Sequence, residues 1–108
     1  DIFQVSREML SPVDAVYDRA ALVALPAEVR QRYAAHLMEI TATAPQLLIC
    51  YEYDQALQAG PPFSVGRKEL HRHYRESYRL TLLDSADVAG GLKGKCPAKE
   101  NVWLLNKR

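Results

Sequence analysis

The chain has 108 residues, 48% hydrophobic and 25% charged, with a formal net charge of +1, which is the composition of one ordinary globular domain with room for a core. So small a net charge excludes the strong field that would favour nucleic acid or an acidic membrane surface, and no run approaches the ~18 apolar residues of a membrane span. The two cysteines differ in setting: Cys50 sits within the apolar run Leu47-Leu48-Ile49-Cys50-Tyr51 and Cys96 in a Gly/Lys/Pro loop. They make neither a disulfide framework nor a zinc set, so a reducing cytoplasm is expected.

In chain order, Val13-Asp14-Ala15-Val16-Tyr17 after the Ser11-Pro12 turn reads as a short strand ending at Asp18-Arg19. The apolar run Ala20-Ala21-Leu22-Val23-Ala24-Leu25 fits a continued strand or a short helix. Pro26 suits a first helical turn and Glu28 complements its positive end. Val29, Tyr33, Leu37 and Ile40 then recur at helical spacing, with Arg30, Gln31, Arg32 and Glu39 on other faces. After residues 41–45, the nearly continuous apolar and aromatic run 46–53 predicts a strand covered on both faces.

Gly60-Pro61-Pro62 is a stiff turn, because each proline fixes its own φ and extends its predecessor. A second helix is predicted over residues 67–78, with Leu70, Tyr74 and Tyr78 on one side. Strands follow at 80–83 and 102–105, the latter partly alternating as near a sheet edge, across a Gly- and Lys-rich loop at 89–99. The order strand, helix, strand, helix, strand, loop, strand predicts an α/β fold with parallel strands ending in an antiparallel hairpin.

Self-contained chemistry is sparse. No G-x-G-x-x-G, P-loop, nucleophile elbow or paired CxxC is present. His71 and His73, two apart on a helix, face different ways and read as surface residues; His36 reads as a boundary residue. The lysine-rich carboxyl end (Lys93, Lys95, Lys99, Lys107, Arg108) reads as solvated surface. Asp18-Arg19 follows a strand, where open α/β sheets bind ligands; it serves either as an ion pair closing the strand or as an acid and a guanidinium orienting a charged ligand. Gly60-Pro61-Pro62-Phe63 is either a loop staple or a rigid apolar wall beside a pocket.

Tyr17-Asp18-Arg19-Ala20-Ala21-Leu22-Val23-Ala24, then Arg30-Gln31-Arg32-Tyr33-Ala34, Leu47-Leu48, Tyr53-Asp54 and Gly60-Pro61-Pro62-Phe63-Ser64-Val65 together resemble the thiopurine S-methyltransferase family, its bacterial branch especially. Residues 18–65 match it without gaps. The resemblance implies the carboxyl-terminal half of a class I, Rossmann-like methyltransferase domain spanning residues 1–108. Outside that half would lie the amino-terminal half of the same protein, with the main cofactor loop and the acidic residue that holds the ribose. By the same resemblance S-adenosylmethionine is the cofactor, met by Asp1, Ile2 and Phe3 at the end of a third strand and by Arg19. Asp18, Pro61, Pro62 and Phe63 fall on the substrate side, with Lys93 as a further candidate. The implied substrate is an aromatic thiol such as a thiopurine, or a small sulfur, selenium or tellurium compound, attacking as the thiolate with no need of a strong catalytic base. The departure Val65-Gly66-Arg67-Lys68-Glu69 from the family's V-P-x-x-E leaves the start of the next helix open. A rival expectation is a non-catalytic module that self-associates through an unpaired strand edge without binding cofactor.

Overall fold

A computed structural model describes residues 2–108. The first strand, β1, is Val16–Asp18. It begins later than the alternation at 13–17 suggests, because only from Val16 does the chain find a partner: Val16 N–H donates to the Pro45 carbonyl at 2.8 Å. The ambiguous run after it closes into a 3-10 turn, Leu22–Ala24, whose Leu22 and Val23 are buried.

Helix α1, Ala27–Ile40, starts behind Pro26 with Glu28 in its first turn, as expected. Its inward face carries Arg30, Tyr33, Ala34, Leu37 and Ile40, so the reading that put Arg30 on an outer face is corrected. The stripe is set by the three- and four-residue spacing of 30, 33, 34 and 37, and Arg30 is tolerated inside it because it finds a carboxylate. Thr41 ends the helix, its hydroxyl donating to the Leu37 carbonyl at 2.7 Å.

Strand β2, Gln46–Tyr53, lies parallel to β1, as a strand-helix-strand unit requires. Helix α2, Arg67–Tyr74, stops four residues earlier than predicted. Ser77 N–H donates to the Tyr74 carbonyl at 3.1 Å, and Tyr78 turns instead into the sheet, opposite Lys107. Strands β3, Tyr78–Asp87, and β4, Ala98–Lys107, have ten residues each and form the expected antiparallel hairpin. Pairing lengthens both strands beyond the predicted 80–83 and 102–105, β3 to Asp87, just short of the loop assigned from composition, and β4 back to Ala98, at its last two residues.

The sheet order is β1-β2-β4-β3, an α/β fold with a mixed sheet. β4 is therefore central, correcting its placement near an edge; β3 takes the edge and carries a register shift between Leu82 and Asp84. A bulge with Asp84 and Asp87 beside it blunts that edge against further pairing.

One face of the sheet holds the core. Leu48, Cys50, Trp103, Leu105 and Tyr78 pack there against Tyr33, Ala34, Leu37 and Ile40 of α1 and Leu70 and Tyr74 of α2. The opposite face is apolar yet uncovered among the described residues, which corrects the expectation of two covered faces for β2. Tyr17 there is 61% exposed and Leu47 36%, and both pair in register.

The segment 2–4 forms a 3-10 turn, Ile2–Gln4, rather than the strand end implied by resemblance; among the described residues it pairs with no strand. Asp1 lies outside the described residues.

Burial pushes the Cys50 thiol up to about 12, with the Asp18 and Glu69 carboxylates adding to it. It stays a neutral, inert thiol in the core.

Leu48 has no exposed surface and Leu57, in the loop after β2, is 62% exposed. Urea denaturation of the complete protein encoded by the gene is expected to show Leu48→Ala costing about 2–5 kcal/mol and Leu57→Ala less than about 0.5 kcal/mol. Equal losses would contradict this core.

Candidate active site

At the end of β1 the chain must turn outward, and Asp18 makes it do so. Only 3% exposed, it receives hydrogen bonds at Oδ1 from the N–H groups of Ala21 (3.2 Å) and Leu22 (3.3 Å). Its Oδ2 accepts the Tyr33 hydroxyl at 3.0 Å. Both oxygens are thus committed to capping the 3-10 turn and tying it to α1. Burial first, then the Asp18 charge, raises the Tyr33 phenol above its usual range, so it remains a donor. Arg19, the next residue, is exposed and forms no ion pair with Asp18 among the described residues. The strand end is closed by backbone caps, and the guanidinium is left facing outward.

The second component is the loop between β2 and α2. Both the Gly60–Pro61 and Pro61–Pro62 peptides are cis. The loop is anchored at several points: Tyr53 hydroxyl donates to the Pro62 carbonyl at 2.6 Å, Phe63 N–H to the Val23 carbonyl at 2.7 Å, and Val65 N–H to the Tyr51 carbonyl at 2.9 Å. Gly60 lies so close to the Phe63 ring that an added methyl would overlap it, which is why a glycine stands there.

These anchors bring the Pro-Pro wall against the turn after β1. A cleft of about 340 Å³ results, lined by Arg19, Ala20, Val23, Ala24, Tyr51, Pro61 and Pro62. It opens at the carboxyl ends of two parallel strands, where α/β sheets bind ligands. Among the described residues Arg19 is the one formal charge in a mostly apolar lining, the pattern of a site that orients one polar group and shields the rest. Larger recesses, about 480 Å³ at the β3–β4 hairpin tip and about 790 Å³ along α2, lack this combination. The first sets Asp87 and Lys95 among small residues, and the second carries four cations with Glu76 beside them.

Phe63 stands behind the wall. Its ring lies 5.6 Å from the Arg30 guanidinium, within cation–π range. Arg30 in turn grips Glu69 of α2 through Nε (2.6 Å) and Nη2 (3.0 Å), and donates from Nη1 to the Leu25 carbonyl at 2.7 Å. His73 Nε2 lies 2.8 Å from the same Glu69 carboxylate. One buried guanidinium therefore joins the 3-10 turn, both helices and the wall.

Of the residues singled out from sequence, the fold gathers Arg19, Pro61 and Pro62 in one cleft with Phe63 adjoining. Asp18 lies beneath, turned inward. Ile2 and Phe3 lie against α1 instead: the Ile2 carbonyl is 2.7 Å from His36 Nε2, and the Arg32 guanidinium is 4.7 Å from the Phe3 ring. Neither lines the cleft. Lys93 sits exposed at the hairpin tip with φ 52°, also outside the lining. Sequence reasoning missed Tyr51, Val23 and Ala24 as lining residues and Arg30 and Glu69 as supports. The period of two along β2, which sends Cys50 inward and Tyr51 outward, was the available signal for Tyr51.

Known proteins are similar to this chain over nearly its whole length. A family model described as thiopurine S-methyltransferase matches residues 1–108. The chain is 58% identical over 107 residues to a thiopurine S-methyltransferase of Xanthobacter autotrophicus, covering 99% of this chain and 50% of the relative. It is 50% identical to one of Gluconobacter oxydans, covering 98% and 48%, and 48% identical to one of Teredinibacter turnerae, covering 99% and 50%. The chain spans about half the length of the curated relatives it matches.

Burial alone would raise the Glu69 carboxyl, but hydrogen bonds from Arg30 and then His73 outweigh it and hold its pKa below the usual 4.5. With the native value below the unfolded one, the ion pair's stabilisation is complete above about pH 4.5 and is lost as pH falls through the native value. Glu69→Gln is expected to flatten that acid limb in urea titrations of the complete protein. It should also cost about 3 kcal/mol at pH 7, since Arg30 is left buried without its partner. An unchanged acid limb would contradict the pairing.

Proposed function

The chain belongs to the thiopurine S-methyltransferase family, and we propose that the complete protein moves a methyl group from S-adenosylmethionine to the sulfur of an aromatic thiol of the thiopurine type. The observation that carries this reading is the convergence of Arg19 and the Pro61-Pro62 wall on one cleft at the strand ends. Small sulfur, selenium or tellurium compounds are further acceptors of the same soft, ionisable chemistry.

The residues present fit the cofactor's methionine end. Arg19 offers a planar pair of donors, matched to a carboxylate, from a lining that among the described residues holds no competing acid. When bound, S-adenosylmethionine supplies an electrophilic methyl on a positively charged sulfur. Asp18 acts indirectly: by capping the turn it fixes where Arg19 emerges. Pro61, Pro62 and the adjoining Phe63 form a wall that excludes water and holds the acceptor ring. A thiol ionises near neutral pH, so such a site raises the rate by positioning, and among the described residues the cleft lining holds no general base. Ile2, Phe3 and Asp1 are assigned by resemblance to the adenine side, and Lys93 to the substrate side; in this reading they reach the ligand only with the rest of the protein in place.

The half-length match supports a division of labour, in which this chain is the carboxyl-terminal half of a Rossmann-like domain and the main cofactor loop lies in the amino-terminal half. The uncovered apolar sheet face and the free edge of β1 are where that half would pack. The same features favour a second reading for residues 1–108 by themselves, namely self-association without cofactor binding. No helix among the described residues is long and apolar enough to cross a membrane. Both cysteines are free thiols, in keeping with a reducing compartment such as the cytoplasm.

Transfer of labelled methyl from S-adenosylmethionine to a thiopurine by the complete protein tests the reading; no transfer to any thiol, selenite or tellurite would overturn it. Arg19→Met is expected to lower kcat/KM for S-adenosylmethionine about 10–100-fold, the worth of a charged hydrogen bond of about 1.5–3 kcal/mol. Arg19→Lys should fall between, because it keeps the charge and loses the fork.

A further inference from the structure

The outward face of α2 breaks two local rules of helix electrostatics. Arg67 and Lys68 stand in its first turn, where the positive end of the helix dipole disfavours cations. Lys68, Arg72 and Arg75 then follow at helical spacing, so that like charges are neighbours on one stripe. The acid of the first turn, Glu69, gives them no relief, because it is turned inward and taken up by Arg30 and His73. Arg67, Lys68, Arg72 and Arg75 are all exposed, and among the described residues none of them forms an ion pair. The helix is held to the fold through Leu70, Tyr74 and Glu69 on its other side.

The stripe borders a recess of about 790 Å³, lined by the four cations with His71, Gln31 of α1 and one acid, Glu76. That is the size of a small-molecule site. Arg67 to Arg75 spans only about 12 Å of helix, too short a row for a tract of nucleic-acid backbone with its roughly six to ten phosphate contacts. Among the described residues the lining holds no Phe, Tyr or Trp ring on which a base would stack. Three of the four cations are arginines, whose planar forks suit the paired oxygens of phosphate. Cations this close together match anionic groups that are themselves adjacent, and linked phosphates carry the most charge in the least length. Because α2 covers the core face of the sheet, its outward side points away from the apolar face on which the other half would pack.

We propose that this recess is a binding site for a compact ligand carrying two or more linked phosphates, held by Arg67, Lys68, Arg72 and Arg75. The site stands apart from the methyl-transfer reading, since neither Arg19 nor the proline wall lines it. Trp103 serves as an internal reporter: the Arg67 guanidinium lies 5.4 Å from its ring, and the His71 ring meets it edge-on at 6.5 Å.

Calorimetry of the complete protein with sodium triphosphate, without cofactor or acceptor, tests the proposal. At about 0.1 M ionic strength it is expected to show one saturable site that weakens as salt is raised, and the Trp103 indole N–H resonance should shift in step. Arg72→Gln/Arg75→Gln is expected to weaken Kd at least about tenfold, since two charged forks are lost. Lys95→Gln/Lys99→Gln removes as many charges from the hairpin, outside this lining, and should change Kd less than about twofold. Glu76→Gln, which removes the one acid, should tighten binding about twofold, a gain that damage to the fold would not produce. Adenosine triphosphate bound more tightly than triphosphate assigns the site to a nucleotide, and equal or weaker binding assigns it to the phosphate chain alone; either supports the proposal. Citrate or a hexaglutamate peptide bound as tightly as triphosphate, duplex DNA bound more tightly, equal losses in the two double variants, or no saturable binding would overturn it.

Discussion

The arrangement of the cleft depends on one buried guanidinium. Arg30 reaches from α1 to the Glu69 carboxylate of α2, to the carbonyl of Leu25 and to the face of Phe63. A single charge in the interior would be costly, and it persists here because its carboxylate partner and the carbonyl satisfy it. Because the contacts belong to segments far apart in sequence, the pair acts as a register pin. It sets how far α2 sits from the turn after β1, and hence where the wall leading into α2 stands.

Asp18 performs the complementary task at the strand end. Its two oxygens take up backbone donors and the Tyr33 hydroxyl, so neutralisation and capping are achieved together and Arg19 is left free. Adjacent residues of opposite charge thus have divided roles, one inward and structural, one outward and available. The cleft they define borders the sheet face that is apolar but uncovered among the described residues, with Tyr17 61% and, at the β3 bulge, Leu83 53% exposed. Such a patch is the signature of a surface that another element covers, and it agrees with a chain spanning half the length of its relatives.

Much of the fold was legible because its signals are local. The α1 stripe, the parallel β1–β2 unit and the final antiparallel hairpin follow from period and punctuation. Sheet order was not legible: nothing in the alternation of Val102-Trp103-Leu104-Leu105 says that β4 lies between β2 and β3, because neighbour choice is decided by packing across the whole sheet. The apolar run of β2 was read as a strand covered on both faces, but only one face is covered within the described residues. Arg30 was read as a surface residue because charge outweighed spacing, and only the position of Glu69, 39 residues on, reverses that. For the site, the ordered motifs around Arg19 and Pro61-Pro62 pointed to the right cleft. Tyr51 escaped notice because an aromatic in an apolar strand looks like core until the face is known. Ile2 and Phe3 were placed by resemblance on a strand end and lie instead in a 3-10 turn against α1.

The central claim is that ligand is bound between Arg19 and the proline wall. Amide chemical shifts of the complete protein, followed during titration with S-adenosylhomocysteine and then with 6-mercaptopurine, address it directly. Within this chain, changes should gather at Arg19, Val23, Tyr51 and the Phe63 and Ser64 amides that flank the prolines. Shifts concentrated instead at residues 90–97 of the hairpin tip, or along α2, would contradict the account.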